Sequence, residues 1–161
     1  MCRLIFINTN FNKNILNKFF EKNIKKKYTP QLNNPRDQDL HLDGFGFIWL
    51  KNNKTYMYKN HIRPDMDYNL DTIIQLIQTD FFIGHLRATK QSCNTPVNYH
   101  STHPFNYKDF YFCHNGSVEN FSHNKKIILD AINIKYYGNI KSNCDSEYLF
   151  FLLLSIYDTI E

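Results

Sequence analysis

Short apolar runs alternate with polar stretches along the chain, and this pattern predicts both strands and helices. Runs rich in β-branched and aromatic residues are typical of strands, and they occupy 2–7, 43–50, 55–58, 81–86 and 110–113. Apolar residues at helical spacing predict helices, which we place at 11–27, 71–78, 125–134 and from residue 145 onward. Strand pairs covered by helices would give an α+β fold.

Two of these segments carry specific expectations about burial. The run from Cys2 to Ile7 predicts a buried, central strand, which would hold residue 2 rigidly. The final helix is apolar all round from Tyr148 to Ile156, which predicts that it is buried. Asp145 opens this helix, where an acidic side chain suits the positive end of the helix dipole.

Length, charge and hydrophobicity indicate the number of domains and exclude some classes of binding partner. The 161 residues show no internal repeat and no linker, so one domain is expected to span 1–161. The net charge is +4, and Lys25–Lys27 is the only basic run, which we interpret as a solvated helix end rather than a nucleic-acid patch. The longest apolar run, 148–156, is too short to span a bilayer. We therefore expect neither a nucleic acid nor a membrane as a partner.

Cysteine usage indicates a reducing environment. No signal peptide precedes the four cysteines, because Arg3 and the Asn-containing segment 8–14 interrupt the short apolar stretch at the start. A cytoplasmic protein with free thiols is therefore expected rather than a disulfide framework.

The second residue, Cys2, combines two reactive groups once the initiator methionine is removed, which a small side chain at this position favours. A free thiol titrates near pH ~8.5 and a free α-amine near ~8. The amine can accept the thiol proton directly or through a water, which is the pairing found in N-terminal nucleophiles. Because Met-Cys starts also occur by chance, other residues must support this interpretation.

Three polar features lie at the ends of predicted elements. The His-x-Arg motif at 85–87 closes one strand, the His-Asn-Gly motif at 114–116 closes another, and Asp145 begins the last helix. Each has an ordinary interpretation alone: Asn-Gly is a turn, Arg87 a surface charge and Asp145 a helix cap. Their order along the chain carries more information than any one of them.

This order resembles that of the class II glutamine amidotransferases, a family of N-terminal-nucleophile hydrolases. Corresponding motifs stand at Cys2, 43–46, 85–89, 98–105, 114–116 and 144–147, with Cys144 where the family often has Ser. The resemblance implies an αββα sandwich of stacked antiparallel sheets covered by helices. It also implies glutamine or a γ-glutamyl compound as the substrate, with no cofactor and no metal.

The resemblance further implies the catalytic roles. Cys2 would attack the side-chain amide of the substrate with its own α-amine as the base, releasing ammonia and leaving a thioester that water hydrolyses. The side chain of Asn115 and the backbone N–H of Gly116 would form the oxyanion hole. His114 would support the end of its strand.

On the substrate-binding side, the resemblance implies that Arg87 holds the α-carboxylate and Asp145 the ammonium group. His85 and Thr89 belong to the same motif as Arg87 and are placed with this group. His85 is expected to pack or hydrogen-bond behind Arg87 rather than to transfer protons.

Alternatives to an active, complete domain stay open. Family domains continue beyond the point where this chain stops, so the second half of the fold is expected to be incomplete. The chain could then be an inactive relative that binds a partner or a γ-glutamyl ligand. An active chain would release its ammonia or deliver it to a separate acceptor or synthase subunit.

A metal site is the weakest alternative. Its ligands would be Cys93, His100, His103, Cys113 and His114. The sequence disfavours it because no Cys-x-x-Cys motif occurs and a structural zinc site needs four well-spaced ligands.

Overall fold

A computed structural model describes residues 2–8, 12–24, 43–88 and 96–160 of the chain. Its elements, in chain order, are β1 (Arg3–Asn8), α1 (Lys13–Ile24), β2 (Phe45–Lys51), β3 (Lys54–Asn60), α2 (Leu70–Leu76), β4 (Phe81–Leu86), β5 (Phe105–Tyr107), β6 (Phe110–Phe112), α3 (Phe121–Ala131) and α4 (Asp145–Tyr157). Short 3-10 helices lie at Pro64–Met66 and Ile134–Asn139. The polar segment 28–42 lies outside the described ranges, and so do Thr89 and Cys93.

The first sheet is antiparallel and has the strand order β1-β4-β2-β3. Strand β4 therefore lies between β1 and β2, and its residue Leu86 is opposite Arg3 on one side and Phe45 on the other. This register brings the start of β1 beside the end of β4. The residue before β1 and the residues after β4 are consequently neighbours.

The expectation that β1 is central and buried is wrong. Strand β1 occupies an outer position in the described order, and its residues alternate between half-buried and exposed, with Phe6 58% exposed. A run of apolar residues predicts a strand, but it does not say whether one face or both faces will be covered. Here the face carrying Ile5 and Ile7 packs on the core, and the other does not.

Helices α1 and α2 cover the inner face of this sheet. Leu16 and Phe20 of α1 meet Phe45 and Phe47 of β2, where the Phe20 and Phe45 rings pack edge to face. The same cluster is completed by Leu70, Ile74, Ile77, Phe82 and Leu86. Burial of this aromatic-rich set fixes the ends of β2 and β4 in place.

A second core forms between the short β5–β6 hairpin and helices α3 and α4. It contains Phe105, Ile132, Tyr136, Cys144, Tyr148, Phe150, Phe151 and Leu154. Strand β5 is absent from the predicted strands, because three residues are too few for an alternating pattern. Helix α4 begins at Asp145 as predicted. The prediction that this helix is buried on all sides is wrong, since Leu153 and Ile156 are exposed.

Gly46 marks the closest approach between the sheet and the segment leading into β5. A Cβ atom on Gly46 would lie 2.2 Å from the backbone oxygen of His103 and 2.6 Å from Cβ of Lys59. Nζ of Lys59 donates hydrogen bonds to the backbone oxygens of Thr102, at 3.0 Å, and Pro104, at 3.2 Å. The absence of a side chain at position 46 therefore allows the two parts of the fold to meet.

Gly46→Ala is expected to lower the free energy of unfolding by about 3 kcal/mol, because a backbone oxygen and a packed side chain must both move. Urea unfolding measures this. Gly138→Ala is the matched control, since no heavy atom lies within 4 Å of a Cβ there, and it should change stability by less than about 0.5 kcal/mol. Equal stability of the two variants would contradict the close approach at Gly46.

Candidate active site

Cys2 lies where β1 begins, beside the chain leaving β4. Its side chain is half-buried. Its Sγ accepts a hydrogen bond from the backbone N–H of Ala88 at 3.5 Å and lies 3.7 Å from the oxygen of the same residue. The thiol is thus held next to the residue that follows Arg87. Its position follows from the pairing of Arg3 with Leu86.

The other described cysteines are poor nucleophiles. Burial raises the pKa of the Cys113 thiol to about 12 and that of Cys144 to about 11. Because the thiolate is the nucleophilic form, neither sulfur is available for attack near neutral pH. Cys2 is therefore the candidate nucleophile among the cysteines that the structure describes.

Arg87 is a buried cation that no carboxylate among the described residues pairs with. Its side chain is only 4% exposed, and Nη1 donates to Oγ of Ser101 at 2.9 Å. Within the described residues, no carboxylate lies within ion-pair distance of its guanidinium. Burying a charge with no counter-charge is costly. The surface-charge interpretation of Arg87 is therefore wrong, and a bound anion would balance this site.

The His-Asn-Gly motif follows β6 and is tied to β4. Asn115 and Gly116 are exposed, whereas His85 is buried. Nε2 of His85 donates a hydrogen bond to the backbone oxygen of His114 at 3.2 Å, so this nitrogen carries the proton. His85 thus connects the strand that leads to Arg87 with the loop that contains Asn115.

The start of α4 reaches the same loop. Oδ2 of Asp145 accepts a hydrogen bond from the backbone N–H of Val118 at 2.8 Å. Oγ of Ser146 lies 2.9 Å from Nδ1 of His114. Asp145 therefore lies beside the segment where the oxyanion hole was expected, although its carboxylate already serves a structural contact.

Shared contacts thus bring together several residues that are far apart in sequence. The sulfur of Cys2 contacts Ala88, the residue after Arg87, at the end of β4, and His85 links the same strand to His114. Thr89, the remaining predicted site residue, lies outside the described ranges. Ser101 and Ser146 were not assigned roles from the sequence, although both lie inside the recognised motifs 98–105 and 144–147.

A cavity of about 340 Å³ borders this region on the Ser101 side. Its lining consists of Pro96, Asn98, Ser101, Ile140, Lys141, Ser142, Asn143 and Tyr148. Cys2, Arg87 and Asp145 do not belong to this lining. The cavity therefore lies beside the candidate site rather than at it.

His103 forms a buried pair with His85. The ring centroids are 4.2 Å apart, and neither ring nitrogen of His103 has a hydrogen-bond partner within the described residues. The pKa of His103 is held well below its ordinary value, first because burial disfavours the imidazolium. Coulombic interactions with His85, Arg87, His114 and Lys59 lower this pKa further.

This lowered pKa predicts loss of stability in acid. Below about pH 6.5 the unfolded chain protonates His103 while the folded chain does not. The free energy of unfolding should therefore fall as pH drops from 6.5 toward the folded-state pKa, by up to about 1.4 kcal/mol per unit.

His103→Phe should flatten this dependence, measured by urea unfolding at pH 7.5, 6.5 and 5.5. His100→Phe changes an exposed histidine of the same segment and should leave the slope as in the wild type. An unchanged slope in His103→Phe would show that folding does not lower the pKa of His103.

Across the described residues, no three His, Cys, Asp or Glu side chains are grouped to hold a metal ion. The candidate ligands His100, His103, Cys113 and His114 therefore gain no support from the structure, and Cys93 lies outside the described ranges. None of the described helices is both long enough and apolar enough to span a bilayer.

Comparison with known proteins shows that the sequence matches a known family. The family described as "Glutamine amidotransferases class-II" matches residues 1–159. The chain is 27% identical over 143 residues to "Probable glutamine amidotransferase DUG3" of Saccharomyces cerevisiae, a match covering 85% of this chain and 39% of that protein. The chain thus spans well under half of this curated relative.

A solved structure is similar to this chain in both sequence and fold. It is a glutamine aminotransferase class-II domain protein from Silicibacter pomeroyi, matched with a TM-score of 0.55 and 27% identity over 69% of this chain and 46% of that one. The predicted α+β fold, with antiparallel sheets and covering helices of the N-terminal-nucleophile type, is thereby confirmed.

Proposed function

Because the chain belongs to the class II glutamine amidotransferases, we propose that it hydrolyses the side-chain amide of glutamine, or of a γ-glutamyl compound, through Cys2. The unit that acts is the single domain 1–161. The reaction needs no cofactor, and its ammonia is released or passed to a separate acceptor or synthase subunit.

The observation that supports this proposal is the buried guanidinium of Arg87, whose chain neighbour Ala88 contacts the sulfur of Cys2. A free amino acid offers an α-carboxylate, which matches the planar fork of a guanidinium and would supply a negative charge that no described residue provides there. The sulfur of Cys2 touches Ala88, the neighbour of Arg87, so a substrate held at its carboxylate would present the rest of its chain near the thiol. This arrangement favours a small zwitterion over a plain amide.

In the proposed reaction each group has a defined role. The α-amine of a processed Cys2 takes the thiol proton, and the sulfur attacks the amide carbon. The side chain of Asn115 and the N–H of Gly116 stabilise the negative oxygen, each donor contributing about 3 kcal/mol. The amine returns the proton to the leaving nitrogen, ammonia departs, and water attacks the thioester to give glutamate.

The remaining site residues have supporting roles in this proposal. Asp145 binds the substrate ammonium with the lone pairs that its hydrogen bonds to Val118 and Ser146 leave available. His85 holds the loop through the oxygen of His114 rather than moving protons. Thr89, two residues after Arg87, is assigned to the substrate-binding side.

Mass spectrometry of the wild-type chain tests the proposal directly. Intact mass should show that Met1 has been removed, and diazo-oxo-norleucine, an electrophilic mimic of glutamine, should label the peptide that begins with Cys2. Excess glutamine should protect against labelling. A chain that keeps Met1 and takes no label at Cys2 would contradict the proposal and favour a ligand-binding relative instead.

A further inference from the structure

The loop that carries Asn115 and Gly116 is exposed, but both residues that flank it are held. Asn115, Gly116 and Ser117 are exposed, whereas His114 and Val118 are half-buried. The two flanking residues are bonded to consecutive residues of α4, Ser146 and Asp145 respectively. The first turn of α4 therefore contacts the loop at both of its ends.

At the first end, the ring of His114 is fixed on several sides. Nδ1 lies 2.9 Å from Oγ of Ser146, and the ring stacks on Phe112 with centroids 6.1 Å apart. A Cβ atom on Gly116 would lie 2.6 Å from Nε2 of His114, so the ring packs directly against Gly116. Any rotation of this ring would therefore disturb the backbone that carries the proposed oxyanion donor.

At the second end, Asp145 and Ser146 are coupled to each other. Oδ1 of Asp145 accepts the backbone N–H of Ser146 at 2.8 Å and lies 3.3 Å from its Oγ, while Oδ2 accepts the N–H of Val118. Ser146 is only 3% exposed, and its hydroxyl lies against His114 of the loop.

We propose that Ser146 is a positioning residue that, with Asp145, clamps the loop 114–118 and aims the oxyanion donors of Asn115 and Gly116. The effect of this clamp on catalysis rests on the proposed function, whereas the contacts themselves do not. Oxyanion donors act only when they are aimed at the developing charge, and a displacement of about 1 Å can cost about 10²-fold in rate. Helix α4 thus supplies contacts at both ends of an exposed loop.

Ser146→Ala tests the clamp, with Ser155→Ala as its matched control. Both variants remove one hydroxyl from α4, but Ser155 bonds to Asn133 and Phe151, away from the loop. We expect Ser146→Ala to lower kcat for ammonia release from glutamine about tenfold with KM within about twofold. Ser155→Ala should leave both constants as in the wild type.

Amide hydrogen exchange supplies a second readout that needs no activity. Exchange in the peptide covering 114–118 should accelerate about tenfold in Ser146→Ala and not in Ser155→Ala, because only the first breaks the clamp. Equal acceleration in both variants, or none in Ser146→Ala, would overturn the clamp. Absence of ammonia release by the wild type would instead refute the proposed function, and the exchange data would still decide on the clamp.

A double-variant cycle identifies the bond responsible. His114→Phe keeps a ring that can stack on Phe112 but removes Nδ1. It should accelerate exchange as Ser146→Ala does, and the double variant should exchange no faster than either single variant, since both changes break the same contact. Multiplicative effects in the double variant would show that the contact between Ser146 and His114 is not what holds the loop.

Discussion

Cys2→Ala is expected to reduce ammonia release from glutamine by at least about 10³-fold, since loss of a covalent nucleophile removes the step that splits the reaction in two. Stability should change little, because Cys2 is half-buried at the start of an outer strand. Ammonia release at saturating glutamine, measured beside urea unfolding, separates the two effects. Labelling by diazo-oxo-norleucine should disappear together with turnover.

Cys113→Ser is the matched control for this loss. Its sulfur is held as the neutral thiol by burial, which raises its pKa to about 12, so it cannot serve as the nucleophile. The variant should retain turnover and should still be labelled at Cys2. Full activity in Cys2→Ala, or equal losses in both variants, would refute the assignment of Cys2 as nucleophile.

Arg87→Met is expected to raise KM for glutamine by about 10²-fold, because it removes a buried, charge-assisted contact to the substrate carboxylate of about 3 kcal/mol. The same change should not lower the free energy of unfolding. A methionine of similar length replaces a buried cation that has no described carboxylate partner, and such replacements are often neutral or stabilising. A higher KM together with an undiminished free energy of unfolding is what we expect when a buried cation serves to bind an anionic group of the substrate.

Steady-state kinetics with glutamine and urea unfolding measure these two quantities. Arg63→Met is the control, since Arg63 is exposed and paired with Asp65 at 2.7 Å, and it should leave KM unchanged. A marked loss of stability in Arg87→Met with unchanged KM would show that Arg87 is a structural residue. A substrate analogue without the carboxylate, such as the amide of glutamine, should bind the wild type as weakly as glutamine binds the variant.

The two predictions address different parts of the proposed function. Cys2→Ala asks whether bond cleavage occurs at this sulfur, whereas Arg87→Met asks whether a carboxylate is bound beside it. A chain that binds glutamine through Arg87 but releases no ammonia would be the ligand-binding relative that the sequence left open. The pair of variants therefore distinguishes an enzyme from a binding protein on this fold.

Local chemistry was enough to predict most of the elements. The β2–β3 hairpin follows from two apolar runs joined by Asn52-Asn53, which both adopt the positive φ that such a turn requires. Strand β4 at Phe81–Leu86 follows from its aromatic and β-branched run. Strand β5 escaped prediction because its three residues depend on pairing with β6 and not on their own pattern. The outer position of β1 depends on which neighbours the fold supplies.

The order of the motifs by itself determined the family and the residues to examine, because Cys2, the His-x-Arg motif, the His-Asn-Gly motif and Asp145 recur in that order with chemically suited side chains. Only the tertiary structure decided how they are related. It buried Arg87 without a described counter-ion, paired His85 with His103, and set Ser146 against His114. Such contacts join residues 18 or 32 positions apart along the chain, and they arise from sheet register and helix packing, which no local pattern encodes.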